Sequence, residues 1–158
     1  MATRDSQDDA SAGQVSDAGL RAFLGYTIKR TDNVILSNIA AVLKPLDLRV
    51  VTFSALVLVG DNPGLRQSQL ADALGIERPN LVVIVDELEG RGLIRRDRVP
   101  TDRRAYALTV TAVGKSLCEA ASAAVRTRED ALLDGISAAE RKQIEGLMRR
   151  IESTGGRR

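Results

Sequence analysis

Apolar positions recur at steps of three and four along the first third of the chain: Leu20, Leu24, Ile28, Ile35, Ile39 and Val42, with polar Arg21, Lys29, Arg30 and Asp32 between them. That period predicts one amphipathic helix, ended before Pro45 because the residue preceding a proline is driven out of the α region. Its apolar face is too long for one small module to cover. From about Val50 to Gly60, Val51, Phe53, Leu56, Val57 and Val59 predict a second helix, apolar nearly all round and therefore buried. Asp61-Asn62-Pro63-Gly64 is a loop, and Leu65-Arg66 suits a short strand. Towards the C-terminus, Thr111 can cap a helix reaching about Asp134, with Leu117, Ala121, Ala124, Val125, Leu132 and Leu133 on its packing surface. Ser137-x-x-Glu140 forms a capping box for a last helix striped by Ile144, Leu147, Met148 and Ile151.

Between these helices the pattern shortens. Gln67 to Leu74 predict a short helix broken by Gly75, where a left-handed conformation costs least without a Cβ. Pro79 then falls in the first turn of a helix running to Gly90, where its missing N–H is no loss. After Gly92, Leu93 and Ile94 return to the core, and Arg95 to Arg98 lead to a turn at Val99 to Asp102 and back through Ala105 to Val110. Two helices about a tight turn, followed by a hairpin, make a winged helix-turn-helix. The fold expected is mainly α with a small β wing.

A second helix presented in this way enters the major groove N-terminus first. Arg78, Pro79, Asn80, Val82 and Val83 would meet base edges, with Gln67 and Ser68 contributing from the helix before it. Arg91, Arg95, Arg96, Arg98, Arg103 and Arg104 face only Asp97 and Asp102 on the following stretch. Such a local excess suits phosphates, and arginine at a hairpin tip can reach a minor groove. Arg96, Arg98, Arg103 and Arg104 are the wing residues expected on DNA, with Asp102 pairing Arg104 to hold the turn. A solvated hairpin is the plainer alternative.

The run from Leu70-Ala71 to Gly75-Ile76, the segment VDELEGRGLI, and TDRRAYALTVTAVG with its Asp102-Arg103-Arg104, Thr111 and Gly114 resemble the multiple antibiotic resistance regulator (MarR) family of bacterial transcription factors. The resemblance runs from about Gly19 to Ile151 and is most specific in the central third. It implies residues 19–48 as an N-terminal dimerisation helix, 49–111 as the DNA-binding lobe and 112–152 as C-terminal dimerisation helices. The three apolar stripes suit packing within one chain as well as a two-fold interface; the resemblance implies the interface. It also implies a repressor of an inverted-repeat operator, released by a small molecule, often a phenolic or other aromatic carboxylate. By the same resemblance, Phe23, Tyr26, Lys44, Arg49 and Phe53 are candidates to line the effector's crevice. Val82 and Val83 depart from the family, whose members often carry Ser, Thr or Arg there.

Composition narrows the alternatives. In 158 residues the formal net charge is only +2, so basicity is local. The single cysteine excludes a disulfide framework and suits a reducing cytoplasm. No apolar run approaches ~20 residues, so no membrane span is expected. Residues 1–18 are polar, lack the apolar region of a secretory signal and are expected to form a disordered arm; residues 153–158 are expected to form a flexible tail. The absence of histidine removes the commonest general base and most zinc sites. Asp86, Glu87 and Glu89 follow helix spacing and are expected to pair with Arg91 or solvent. Cys118, beside Leu117 and Ala121, is expected to be a small packing residue. No catalysis and no cofactor are expected. A winged-helix module that binds protein through Val82 and Val83, and a ligand-independent architectural DNA binder, are the other readings.

Overall fold

The computed structural model describes residues 15–99 and 102–155, and for residues 99 and 102–105 it describes the backbone alone. The chain divides into two compact units, one ending at Val34 and the other beginning at Ile35. No helix among the described residues is long and apolar enough to cross a membrane.

In the first unit the single N-terminal helix expected from the sequence is interrupted. A short helix α1, Ala18–Arg21, is separated from α2, Leu24–Leu43, by Ala22 and Phe23. The Asp17 carboxylate accepts from Arg21 Nε at 3.0 Å and from the Tyr26 hydroxyl at 2.8 Å. In a continuous helix, residues nine apart lie on opposite faces and about 13.5 Å apart along the axis. The bond from Tyr26 to Asp17 therefore needs the break. It lowers the Asp17 pKa, with help from Arg21, and raises that of Tyr26. Of the expected arm, residues 1–14 lie outside the described residues.

The second unit begins within α2, which stops at Leu43. A 3-10 turn, Lys44–Leu46, takes up Pro45. Then follow α3 (Val50–Asp61), β1 (Leu65–Arg66), α4 (Gln67–Leu74), α5 (Arg78–Gly90), β2 (Ile94–Val99), β3 (Asp102–Val110), α6 (Ala112–Leu132) and α7 (Ala138–Gly155). The last helix extends through residues 153–155, which the sequence reading assigned to the tail. The strands form an antiparallel sheet in the order β1-β3-β2, with Leu65 opposite Leu108 and Arg96 opposite Leu108 on the other side.

Two apolar clusters organise this unit. One joins Ala55, Leu56 and Val59 of α3 to Leu70 and Ala71 of α4, to Leu81, Ile84, Val85 and Leu88 of α5, and to Leu93, Ile94 and Leu108. The other joins Leu43 and Leu48 to Ala121 and Val125 of α6, with Phe53 and Val50 packed against them. α3 contributes to both, which explains why it is apolar nearly all round. Its one fully buried polar side chain, Thr52, is satisfied locally: its hydroxyl accepts the Arg49 N–H at 2.9 Å and donates to the Arg49 carbonyl at 3.0 Å.

Thr111 caps α6, accepting the Gly114 N–H at 3.0 Å while donating to the Gly92 carbonyl at 2.7 Å. At the head of α7, Glu140 accepts the Ser137 N–H at 2.8 Å, and Ser137 Oγ accepts the Glu140 N–H at 3.3 Å. The hydrogen bonds from Ser137 hold the Glu140 pKa below its ordinary value of 4.5. A carboxylate depressed in this way contributes stability that is present above the unfolded pKa and lost as pH falls through the folded one. Glu140→Gln is accordingly expected to lower the melting temperature at pH 7 but to match the parent in acid below both values. A difference that persists unchanged in acid would show that the charge plays no part in the cap.

Candidate nucleic-acid interface

The α4–turn–α5 unit is built as the local sequence requires. α4 ends at Gly75, whose φ of 64° is the left-handed value, and the Gly75 N–H returns to Asp72 while Ile76 N–H reaches the Ala71 carbonyl at 3.1 Å. At the other end of α4, the Gln69 amide oxygen accepts the Arg66 N–H at 3.0 Å. α5 opens from Glu77, with Pro79 in its first turn. Leu81, Ile84, Val85 and Leu88 turn inward at steps of three, one and three. The opposite face carries Arg78, Pro79, Asn80, Val82, Val83 and Asp86, all exposed; Val82 is 43% and Val83 64% exposed, large values for valines with no functional surface to serve. Gln67 and Ser68 are half-buried at the start of α4.

The wing arginines do not act alike. Strand alternation from buried Ile94 turns Arg96 to the core-facing side, where Asp86 and Glu89 of α5 both bind its guanidinium. Burial works against its charge, yet the two carboxylates outweigh that and raise the pKa. Arg96, expected on a phosphate, is thus engaged within the protein. Arg95 lies on the other side and binds Asp97 at 3.0 Å. With Arg95 first and Thr109 second, these partners pull the Asp97 pKa down. Arg98, nearer the tip, is exposed, and no carboxylate among the described residues pairs with it. Its register partner Tyr106 is 41% exposed and was not picked out in the sequence, where β3 reads as packing. The side chains of Asp102, Arg103 and Arg104, and with them the expected Asp102–Arg104 pair, lie outside the described residues.

The acidic residues of α5 do not pair with Arg91. Glu87 binds Arg49 at the start of α3, Asp86 and Glu89 bind Arg96, and Arg91 instead donates to the backbone carbonyls of Leu46 and Asp47. Arg91 follows α5 where the chain turns towards the loop after α2, which puts carbonyls rather than side chains within its reach.

The effector candidates are distributed. Lys44 and Arg49 line an open cleft of about 370 Å³ with Ala40, Asp47, Leu48, Val50 and Glu87. Phe53 lines a second, of about 520 Å³, with Val57, Leu58, Leu74, Val125 and the cation of Arg126. Phe23 and Tyr26 belong to the first unit, where Phe23 is exposed and Tyr26 is held by Asp17. Cys118 is half-buried against the first core cluster, and burial pushes its thiol up despite a hydrogen bond with Ser122. A raised thiol pKa means little thiolate, the opposite of what a reactive sensor needs.

The MarR family model matches residues 48–106, the stretch from before α3 into β3. Over 99 residues the chain is 38% identical to a protein assigned as the transcriptional regulatory protein for the hcr operon of Thauera aromatica; the match covers 63% of this chain and 60% of that relative's length. In structure the chain is similar to the transcriptional repressor CouR bound to a 23-mer DNA duplex, with a TM-score of 0.83 and 35% identity over 89% of this chain and 99% of that one. CouR from Rhodococcus jostii RHA1 bound to p-coumaroyl-CoA superposes with a TM-score of 0.76 at 29% identity, over 86% and 95% of the two chains. With the exposed α5 face, the three-stranded wing and likeness along nearly the whole length of solved relatives, the chain belongs to the MarR family of winged helix-turn-helix transcriptional regulators.

Proposed function

We propose that the protein is a homodimeric repressor that reads an inverted-repeat operator in duplex DNA and leaves it when an aromatic acyl compound binds. The observation that carries this reading is the exposed face of α5, where Arg78, Pro79, Asn80, Val82 and Val83 stand over a packed core, next to a wing bearing Arg98. In this reading Arg78 and Asn80 supply hydrogen bonds to base edges, the valines favour thymine methyls, and Gln67 and Ser68 steady α4 against the backbone. Arg98, Arg103 and Arg104 take wing contacts, with Asp102 orienting the turn. Such a surface meets DNA where the chromosome is, in the cytoplasm.

Two-fold symmetry is supported by Ile144, Leu147, Met148 and Ile151, which are all more than a third exposed along α7, a helix without one buried residue. An apolar stripe of that length on a soluble chain calls for a partner, and a second copy gives the symmetry an inverted repeat needs, with half-sites about 10 bp apart. For the effector, a relative bound to p-coumaroyl-CoA supports an aromatic acyl thioester. Lys44 and Arg49 suit its anionic groups and Phe53 its ring, with Phe23 and Tyr26 as further candidates. Both clefts fall within the range of about 300 to 1,000 Å³ usual for small-molecule sites.

Asn80→Ala tests the base-reading role. It is expected to cost ~1 to 3 kcal/mol on a duplex selected by the parent from a randomised pool, and much less on random duplex, because phosphate contacts survive. Equal losses on both DNAs would make Asn80 a helix-end or phosphate contact. Titrating the DNA complex with p-coumaroyl-CoA, p-coumarate and CoA separately tests the effector class: release by the thioester alone is expected, and release by none of them would remove it.

A further inference from the structure

Every acidic side chain between positions 86 and 89 of α5 is bound to an arginine from elsewhere in the fold. Glu87 is tied to Arg49 at the head of α3, and Asp86 and Glu89 are tied together to Arg96 on β2. The Arg96 side chain is 20% exposed, less than either partner. Glu89 makes a second bond to the same residue, accepting the Arg96 backbone N–H at 3.2 Å. The contact is thus fixed at the main chain as well as at the guanidinium, and it joins the C-terminal half of α5 to the outer strand of the wing.

Its position matters for recognition. Asp86 lies four residues after Val82 and three after Val83, so it shares their exposed face. A free carboxylate there would confront phosphates, and Arg96 cancels it from behind. The same guanidinium sets where the wing stands relative to α5, because its two partners sit three residues apart on the helix and both converge on one strand position.

We propose that Arg96 is a positioning residue for DNA reading: it holds the wing at a fixed angle to α5 and neutralises Asp86 and Glu89, without touching DNA itself. This rests on the reading of α5 as the base-reading helix. Arg98, two residues further along the same strand, is the contrasting case of a free cation available to a phosphate.

The test compares Arg96→Gln, Arg96→Lys, Arg98→Gln and the double variant Asp86→Asn with Glu89→Gln, each in the full chain. Affinities are measured for a duplex selected by the parent from a randomised pool and for random duplex, over a series of salt concentrations, with thermal melts alongside. Arg98→Gln is expected to weaken both complexes equally and to reduce the salt slope by about one, the mark of a lost phosphate contact. Arg96→Gln is expected to lower the ratio of selected to random affinity by about tenfold or more, and Arg96→Lys to recover part of it, since an ammonium restores the charge but not the two-pronged geometry. The double variant frees the Arg96 charge while losing the brace, so random duplex is expected to bind more tightly as the ratio falls. Equal losses on both duplexes with a slope reduced by one for Arg96→Gln would make it a phosphate contact and overturn the proposal. So would a double variant that keeps the parent's ratio. If Arg96→Gln does not melt as a folded protein, the double variant decides alone. A parent that binds no duplex would instead strike at the DNA reading on which the proposal stands.

Discussion

Alanine at position 114 is expected to abolish stable folding of the wing-bearing unit at temperatures where the parent is intact. A Cβ added to Gly114 would sit 2.0 Å from the Leu93 carbonyl oxygen, 2.8 Å from its carbon and 3.0 Å from a Val110 methyl. The first two atoms are backbone, and they are held in place: the Leu93 carbonyl accepts the Thr111 N–H at 3.0 Å and lies within 3.2 Å of the Thr111 hydroxyl. No rotamer change relieves such a clash, so α6 must move away from the segment between α5 and β2. That separation breaks the Thr111 cap and opens the core at Leu93, Ile94 and Leu108. A cost of about 3 kcal/mol or more follows from overpacking combined with the lost cap, a large share of the stability of about 5 to 15 kcal/mol usual for a domain. Thermal unfolding followed by circular dichroism should show a melting temperature lower by roughly 10 °C or more. Gly60→Ala is the control, because a Cβ there meets nothing within 4 Å and the position is helical, so a neutral or slightly stabilising change is expected. Equal melting of the Gly114 variant and the parent would mean that the α6 junction yields far more readily than its hydrogen bonds imply.

Duplex DNA binding is expected to weaken on the order of a thousandfold between 50 and 200 mM salt. A symmetric dimer placing two α5 helices and two wings on one duplex would make roughly 6 to 10 phosphate contacts, each releasing a counterion and steepening the dependence on salt. The formal charge of the whole chain, +2, is too small to produce such a slope by general attraction. A steep slope therefore reports contacts concentrated where the free cations are, at Arg78, Arg98 and the tip arginines. Arg96, bound by two carboxylates, adds little to the count. Titrations at several salt concentrations measure the slope directly. A flat dependence would count against DNA as the partner and favour a protein-binding role for the exposed valines.

Much of this architecture was legible because it is written in local patterns. The inward set Leu81, Ile84, Val85 and Leu88, the glycine at position 75, the Thr111 cap and the Ser137–Glu140 box depend only on residues within one or two turns of each other, and each occurs where its pattern placed it. The break at Ala22 and Phe23 was not legible, because continuous apolar spacing passes through it; its cause is a hydrogen bond between residues nine apart. Pairings among charges were harder still. Glu87 reaches Arg49 across 38 positions, and Arg91 reaches carbonyls 44 and 45 positions back, so helix spacing alone pointed them at each other. Arg96 is the instructive case. Counting alternate residues from Ile94 already turns it inward, but an arginine in a basic run reads as a phosphate ligand until the helix facing it is known. The effector candidates show the same boundary: Lys44 and Arg49 share a cleft and Phe53 lines another, a grouping set by how α3 is packed rather than by any spacing along the chain.

The sheet that forms the wing has two open margins, and each is poorly suited to accept another strand. β1 is two residues long, too short to template an added partner. β2 carries Arg95, Arg96, Asp97 and Arg98 in succession, and Glu89 already occupies an outward N–H of that strand. An exposed ladder of unsatisfied amides is the usual starting point for edge-to-edge aggregation. When operators bring several copies close together on one duplex, the wings are thereby kept from zipping into shared sheets, so the protein can crowd on DNA and still come off it one dimer at a time.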